Sequence, residues 1–519
     1  MRSDSGRLTL YGIRVVRGAL LMALVTCVMA AAVAAPLVET ASGRVAGTQM
    51  QEIAVFRGLP YAAPPVGLLR WRAPQPVAPW PSTRDASKQG SACPQKRSLS
   101  LEGGGDPGTL NEDCLNLNVF TPRAERGARL PVMVWLHGGA LIFGSGGLPL
   151  YDGVPLASEG VVVVTLNYRL GPLGFFVHPA IEREAPGGVV NFGLLDQIAA
   201  LQWVQRNIAA FGGDPGNVTL FGQSAGAQSV LALMSSPLSR DLMQRAVVQS
   251  AYGLPAHPRA KARETGVRVA TAVGLPGADA SAAQLRSVPA ERLAALDGND
   301  LSLAPSFIVG DPVVPILPVE AFRAGRQARI PLLIGSNSDE TSVALAFGIQ
   351  PARLIKKLGI GGVLLRSLYR DVKDDAELGR QVVRDVFFTA FARRVAVLHS
   401  VKAPVWRYYH DRVQDGLRGK HLGAPHGGEV APVFGTADLC ACTGATPSDS
   451  DRTAARAMAA RWVGFSRDGK PDIAGLPAWP ADTKLGNVLL DFGDAQVVRP
   501  DFMRRRLNAF IAAGNLLRP

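Results

Sequence analysis

Charge is scarce in this 519-residue chain: only 19% of its residues are Asp, Glu, Lys or Arg, against 47% hydrophobic. A chain this apolar buries enough surface to offset the entropy of ordering it, which excludes disorder as its general state. Lysine is scarcer still. Of the 55 basic residues 10 are Lys and 45 are Arg, and with 42 acids the formal net charge is +13. The arginines are scattered, and the densest cluster is Arg504, Arg505 and Arg506. Nucleic-acid binding needs a concentrated basic patch, so no nucleic-acid partner is expected. The 56 glycines follow no fixed period and no heptad pattern is sustained. Nor does any unit of roughly 20–50 residues repeat, so collagen-like, coiled-coil and solenoid chains are excluded.

Long hydrophobic runs are also few, and the one that stands out is at the start. Residues 1–17 carry Arg2, Arg7, Arg14 and Arg17 against a single acid, Asp4, and residues 18–35 are uncharged. A basic segment followed by an apolar one is the pattern of a secretory signal peptide. Ala32 and Ala34 form an A-x-A site, which predicts cleavage after Ala34 and a mature chain of 35–519; Pro36 disfavours a cut one residue later. The run is just long enough to span a bilayer, so a retained anchor is the alternative. The expected location is secreted or periplasmic, with no membrane contact beyond the cleaved segment.

Cysteine is the third scarcity. Past the leader only Cys93, Cys114, Cys440 and Cys442 remain. Export makes disulfides chemically permissible, and four cysteines allow three pairings that the sequence does not separate. Cys440 and Cys442 are two apart, so in an extended segment they point to opposite faces and a mutual bridge would be strained. A C-x-C without a second pair lacks zinc-ligand spacing, and no metal is expected.

What is abundant is alternation. Strand-length apolar runs recur at 131–136, 161–166, 218–221, 245–249, 331–335 and 404–409, several of them β-branched and apolar on both faces. Such runs suit buried strands of a mostly parallel sheet. Helical patterns lie between them, over Leu194 to Phe211 and Ala225 to Met234. The alternation predicts an α/β fold with helices on both sheet faces. Residues 43–61 read as an added antiparallel hairpin. No long polar linker divides the chain, so one large domain is expected.

The chemistry falls on strand-to-helix turns. Residues 222–226 read G-Q-S-A-G, between the strand VTLF and the helix AQSVLALM. There the two glycines permit a sharp turn that leaves the Ser224 hydroxyl exposed above the sheet edge. A serine hydroxyl needs a base, itself oriented by a third group, in the chain order Ser, acid, His. After Ser224 the histidines are His257, His399, His410, His421 and His426. His257 precedes any plausible acid, His399 sits in a helical stretch and His410 ends an apparent strand. His426, in a Gly-rich loop after that strand, is the favoured base and His421 the runner-up. The strand 331–335 is followed by both Asp339 and Glu340, between which spacing does not choose. Residues 135–140, W-L-H-G-G-A, form a Gly-rich turn whose N–H groups, with that of Ala225, could hold an oxyanion. His137 lies inside that turn and is expected to shape it.

Together these motifs resemble the type-B carboxylesterase family of the α/β-hydrolase superfamily, which includes cholinesterases and bacterial para-nitrobenzyl esterases. The similarity extends over FRGLPYAAPPVGLLRWRAPQP (56–76), EDCLNLNVFTP (112–122), NYRLGPLGFF (167–176) and the block 191–226. The resemblance implies an α/β-hydrolase fold, with Ser224 as nucleophile, Glu340 as acid and His426 as base. It further implies Gly139, Ala140 and Ala225 as oxyanion donors and a Cys93–Cys114 disulfide. Two positions depart from the family pattern. Gln223 stands where Glu commonly precedes the nucleophile, and residues 94–113 contain no aromatic residue for cation–π contact with choline. The expectation is a cofactor-free, exported serine esterase acting on small-molecule esters through an acyl-enzyme, and not a cholinesterase. The alternatives are a catalytically inactive adhesion member of the same fold and a lipase with an apolar lid at 354–369.

Overall fold

The computed structural model describes residues 35–97, 105–185, 187–253, 257–296, 306–346, 350–357, 365–438 and 444–516. The leader at 1–34, Cys440 and Cys442, and much of the 354–369 stretch lie outside the described residues.

One large sheet organises the molecule. Its strands are β1 (Thr48–Met50), β2 (Ile53–Pro60), β3 (Asn116–Thr121), β4 (Leu130–Leu136), β5 (Val162–Leu166), β6 (Gly213–Gln223), β7 (Arg245–Gln249), β8 (Leu332–Asn337), β9 (Val405–His410), β10 (Val488–Phe492) and β11 (Gln496–Pro500). They lie side by side in the order β1-β2-β3-β5-β4-β6-β7-β8-β9-β10-β11. Every pairing from β5 to β10 is parallel. The remaining pairings, at the two ends of the sheet, are antiparallel.

The central strands form because they are apolar on both faces, and alternate residues feed two different cores. Along β4, Val132, Val134 and Leu136 pack with Leu194, Ile198, Val230 and Leu231, which come from helices α1 (Phe192–Asn207) and α2 (Ala225–Ser235). Met133 and Trp135 point the other way, toward Phe434 and toward Met458 and Trp462 of a long later helix, Asp449–Asp468. Trp135 meets Phe434 edge-on, with ring centroids 5.0 Å apart. Helices therefore cover both faces, as the alternation of the sequence predicts, and the fold is an α/β-hydrolase fold. Because neighbouring strands are parallel, the turns that follow β4, β6, β8 and β9 all emerge at one edge, which is where such sheets carry ligands.

The hairpin expected over 43–61 is divided. Residues 48–60 supply β1 and β2 at the edge of the large sheet, while Gly43–Ala46 folds back on Leu37–Thr40 in a small separate sheet with Arg84–Asp85. Gly47 is the joint. A Cβ there would lie 2.5 Å from the Val55 carbonyl oxygen and 2.7 Å from the Phe56 ring, so the chain crosses closer than any side chain permits. Among the described residues no helix is long and apolar enough to cross a membrane.

Candidate active site

β6 ends at Gln223 and α2 begins at Ala225, leaving Ser224 alone at the joint with φ 56° and ψ −122°. A residue with a Cβ is rarely found there, and such strain persists only where the surroundings over-determine it. Here they do. The Ser224 N–H donates to the Gln249 carbonyl at 2.9 Å, and its own carbonyl accepts from the Gln228 N–H at 2.9 Å. Gly226 admits β4, since a Cβ on it would sit 2.0 Å from the Leu136 carbonyl oxygen. Gly222 admits the helix in the same way: its Cβ would lie 2.7 Å from the Gly226 carbonyl carbon.

His426 lies on the Gly-rich turn beyond β9, and Glu340 on the turn beyond β8. Their side chains meet, with His426 Nδ1 2.5 Å from Glu340 Oε2. Glu340 is fully buried, and its other oxygen accepts from the Asn337 N–H at 2.7 Å. The His426 backbone N–H donates to Ser342 Oγ at 2.9 Å, fixing the turn against the β8 segment. Asp339, beside Glu340 in the chain, points elsewhere: it accepts from Arg380 at 3.2 Å and from the Thr341 hydroxyl. Adjacent residues project in different directions, so only one of the two acids reaches the imidazole. A carboxylate on Nδ1 fixes the proton there and leaves Nε2 with its lone pair. Nε2 lies 3.0 Å from the amide nitrogen of Gln223, the residue before Ser224.

The other histidines are elsewhere. His421 is exposed on the loop. His399, at the end of helix α3 (Ala390–His399), is held by Gln327 at 3.1 Å and by the Ile330 carbonyl at 2.8 Å. His410 is buried at the end of β9, where burial pushes its imidazole down to about 4. His137 is wholly buried, stacks on Tyr168 with ring centroids 4.4 Å apart, and is likewise pushed down to about 4 by burial.

The Gly-rich turn after β4 lies against the serine, since a Cβ on Gly138 would fall 3.2 Å from that of Ser224. Gly139, Ala140 and Leu141 have φ of 103°, 52° and 66°. A run of left-handed residues turns successive N–H groups to one side. Among the described residues the N–H groups of Gly139, Ala140 and Ala225 have no hydrogen-bond partner.

A disulfide joins Cys93 and Cys114. Gln95, two residues past Cys93, grips the far end of the Gly-rich turn: its oxygen accepts from the Gly144 N–H at 2.8 Å and its nitrogen donates to the Gly144 carbonyl at 2.9 Å.

The model of the Carboxylesterase family matches residues 34–360 and 365–509. The chain belongs to the carboxylesterase family. It is 36% identical over 478 residues to the fumonisin B1 esterase of Sphingopyxis macrogoltabida, covering 87% of this chain and 85% of that one. To the para-nitrobenzyl esterase of Bacillus subtilis (strain 168) it is 35% identical over 460 residues, covering 86% and 92%. A solved PNB esterase structure superposes with a TM-score of 0.80 at 33% identity, covering 91% of this chain and 99% of that one.

This carboxylesterase holds a second buried acid that sequence reasoning missed. Glu429 is fully buried three residues after His426. It accepts from Asn337 Nδ2 at 2.5 Å and from Gln249 Nε2 at 3.2 Å. Burial first, and then the charge of Glu340, push its carboxyl above the ordinary range. Asn337 thus donates its backbone N–H to one acid and its side-chain amide to the other. The sequence signal was the H-G-G-E spacing, which sets a carboxyl one short turn beyond the histidine.

Proposed function

We propose that the protein is an exported serine carboxylesterase, with residues 35–519 forming one hydrolase domain after a leader removed behind Ala34. Carboxylic ester hydrolysis is the activity of its family, and the reading assigns the steps to residues. Ser224 is the nucleophile, His426 the base and Glu340 the acid that orients it. His426 Nε2 takes the hydroxyl proton as Ser224 Oγ attacks the ester carbonyl. The N–H groups of Gly139, Ala140 and Ala225 hold the tetrahedral oxyanion. His426 then passes the proton to the departing alcohol, leaving an acyl-enzyme. Water is deprotonated by the same nitrogen and attacks the acyl carbon; the acyl–Oγ bond then breaks, His426 returns the proton to Ser224 Oγ, and the acid is freed.

The observation that carries this reading is the 2.5 Å contact between Glu340 and His426 Nδ1, which turns the opposite nitrogen toward the Gln223–Ser224 joint. The substrate class is small-molecule esters other than those of choline, since the 94–113 loop offers no aromatic face to a quaternary ammonium group. The test is Ser224→Ala together with organophosphate labelling. Label on Ser224 of the wild type is expected, with hydrolysis lowered by about 10⁴–10⁶ in the variant. Label on another serine, with Ser224→Ala still active, would overturn the assignment. Comparing short- with long-chain nitrophenyl esters on the same enzyme separates an esterase, which favours the short ones, from a lipase.

A further inference from the structure

The side chain of Gln223 occupies a narrow space between the three segments of the site. A Cβ on Gly138 would lie 2.8 Å from its amide oxygen, and one on Gly427 would lie 3.4 Å from its amide nitrogen. The turn after β4 and the turn carrying His426 therefore both lack side chains where this amide lies. Gln223 is itself buried. Its nitrogen lies 3.0 Å from His426 Nε2, the atom that must take and return the serine proton. With Glu340 on Nδ1, the neutral imidazole accepts at Nε2, so the amide N–H donates. The imidazolium instead carries a proton on Nε2 and needs an acceptor there. An amide can serve both states, because a half-turn of its terminal torsion exchanges N–H for C=O.

We infer that Gln223 is a positioning residue that follows the protonation of His426: it donates to the Nε2 lone pair of the resting ring, yields that lone pair to the Ser224 hydroxyl for proton transfer, and turns its oxygen toward Nε2–H of the charged ring. The inference rests on the assignment of His426 as base. A carboxylate at this position could serve only the charged ring, and would favour it before the reaction begins. The neutral amide adds no such bias, so activity extends to lower pH than with a carboxylate at this position.

Other groups around the imidazole provide a fixed background. From the β8 turn comes Glu340, with Asp339 turned to Arg380; the loop's own residues contribute buried Glu429 and exposed His421. The segment Arg384–Thr389 presents the uncharged Phe388 ring, 5.3 Å from the imidazole, while Arg384 and Asp385 pair with each other at 2.7 Å. None of these differs between Gln223 and its variants.

The experiment measures kcat and KM against pH for wild type, Gln223→Glu and Gln223→Met, with Ser224→Ala as control. In Gln223→Glu the acid limb of kcat/KM should move up by about one pH unit or more, as a carboxylate within contact of an imidazole produces. In Gln223→Met, which keeps the length but neither donates nor accepts, kcat should fall about tenfold with KM held. An unmoved acid limb in Gln223→Glu overturns the inference; if that variant does not fold, wild-type kcat in Gln223→Met does so. An active Ser224→Ala would instead overturn the functional assignment itself, so the two failures are distinct.

Discussion

Replacing Glu340 with Gln exchanges one carboxylate oxygen for an NH₂ group and leaves the volume of the side chain unchanged. The position is fully buried, and one of its oxygens already accepts from the Asn337 N–H at 2.7 Å. The amide oxygen must stay at that donor, so the new NH₂ faces His426 Nδ1 across the 2.5 Å contact. Nδ1 can then no longer donate. The neutral ring moves its proton to Nε2, and the lone pair that should accept the Ser224 proton is gone. Forcing the wrong tautomer in a serine triad lowers kcat about 10⁴-fold, equivalent to about 5.5 kcal/mol of barrier. The fold should tolerate the exchange, because the packing is conserved and a buried charge next to Glu429 is removed. The assay is kcat on a short-chain nitrophenyl ester for Glu340→Gln, Asp339→Asn, His426→Ala and His421→Ala, with thermal melting of each. Glu340→Gln and His426→Ala should be nearly inactive with unchanged melting, and the other two should keep most of their rate. A Glu340→Gln enzyme retaining about a tenth of wild-type kcat or more would refute the reasoning, as would a folded but inactive Asp339→Asn.

Two further predictions concern stability. The Cys93–Cys114 bridge spans 21 positions, and removing it as a Cys93→Ala/Cys114→Ala pair should cost about 3 kcal/mol by the loop-entropy argument. Peptide mapping without reductant should recover that bridge, and a dominant Cys93–Cys440 or Cys114–Cys442 peptide would refute the pairing. His137 and His410 are held from the ordinary 6.5 down to about 4 by burial, so the unfolded chain binds protons that the folded one refuses. Their contribution is complete above pH 6.5 and is lost as pH falls toward 4, amounting to about 2 kcal/mol each by pH 5. Urea midpoints at pH 7 and pH 5 check this: His410→Gln should lose less stability between the two than the wild type, and an equal loss refutes it.

The strands that were legible in the sequence are those buried on both faces. Val162–Leu166 is buried at every position, and no surface requirement interrupts its apolar run. The edge strand Gln496–Pro500 has no fully buried residue, and its sequence carries no comparable run to mark it. Ser224 was legible because its constraint is local, two glycines and a strand-to-helix joint within five residues. The choice between Asp339 and Glu340 was not, since which neighbour faces the histidine depends on a turn 86 positions away. Glu429 escaped for a related reason: its burial beside Glu340 arises only when β8 and the His426 loop come together on Asn337. Gln95 is the same case, a polar residue in a loop whose hold on Gly144 no local pattern announces.

The parallel order β6-β7-β8-β9 has a consequence for how such a catalyst can change. Ser224, Glu340 and His426 each follow a strand of one continuous hydrogen-bonded block, yet between those strands the chain leaves the sheet and returns. The frame that sets these three side chains is thus fixed by the ladder, and the excursions between the strands are not part of it. Those segments can lengthen, shorten or be exchanged while the three side chains keep their mutual spacing. Selection for a new ester, in nature or in the laboratory, can therefore proceed in the cover, with the chemical step inherited intact.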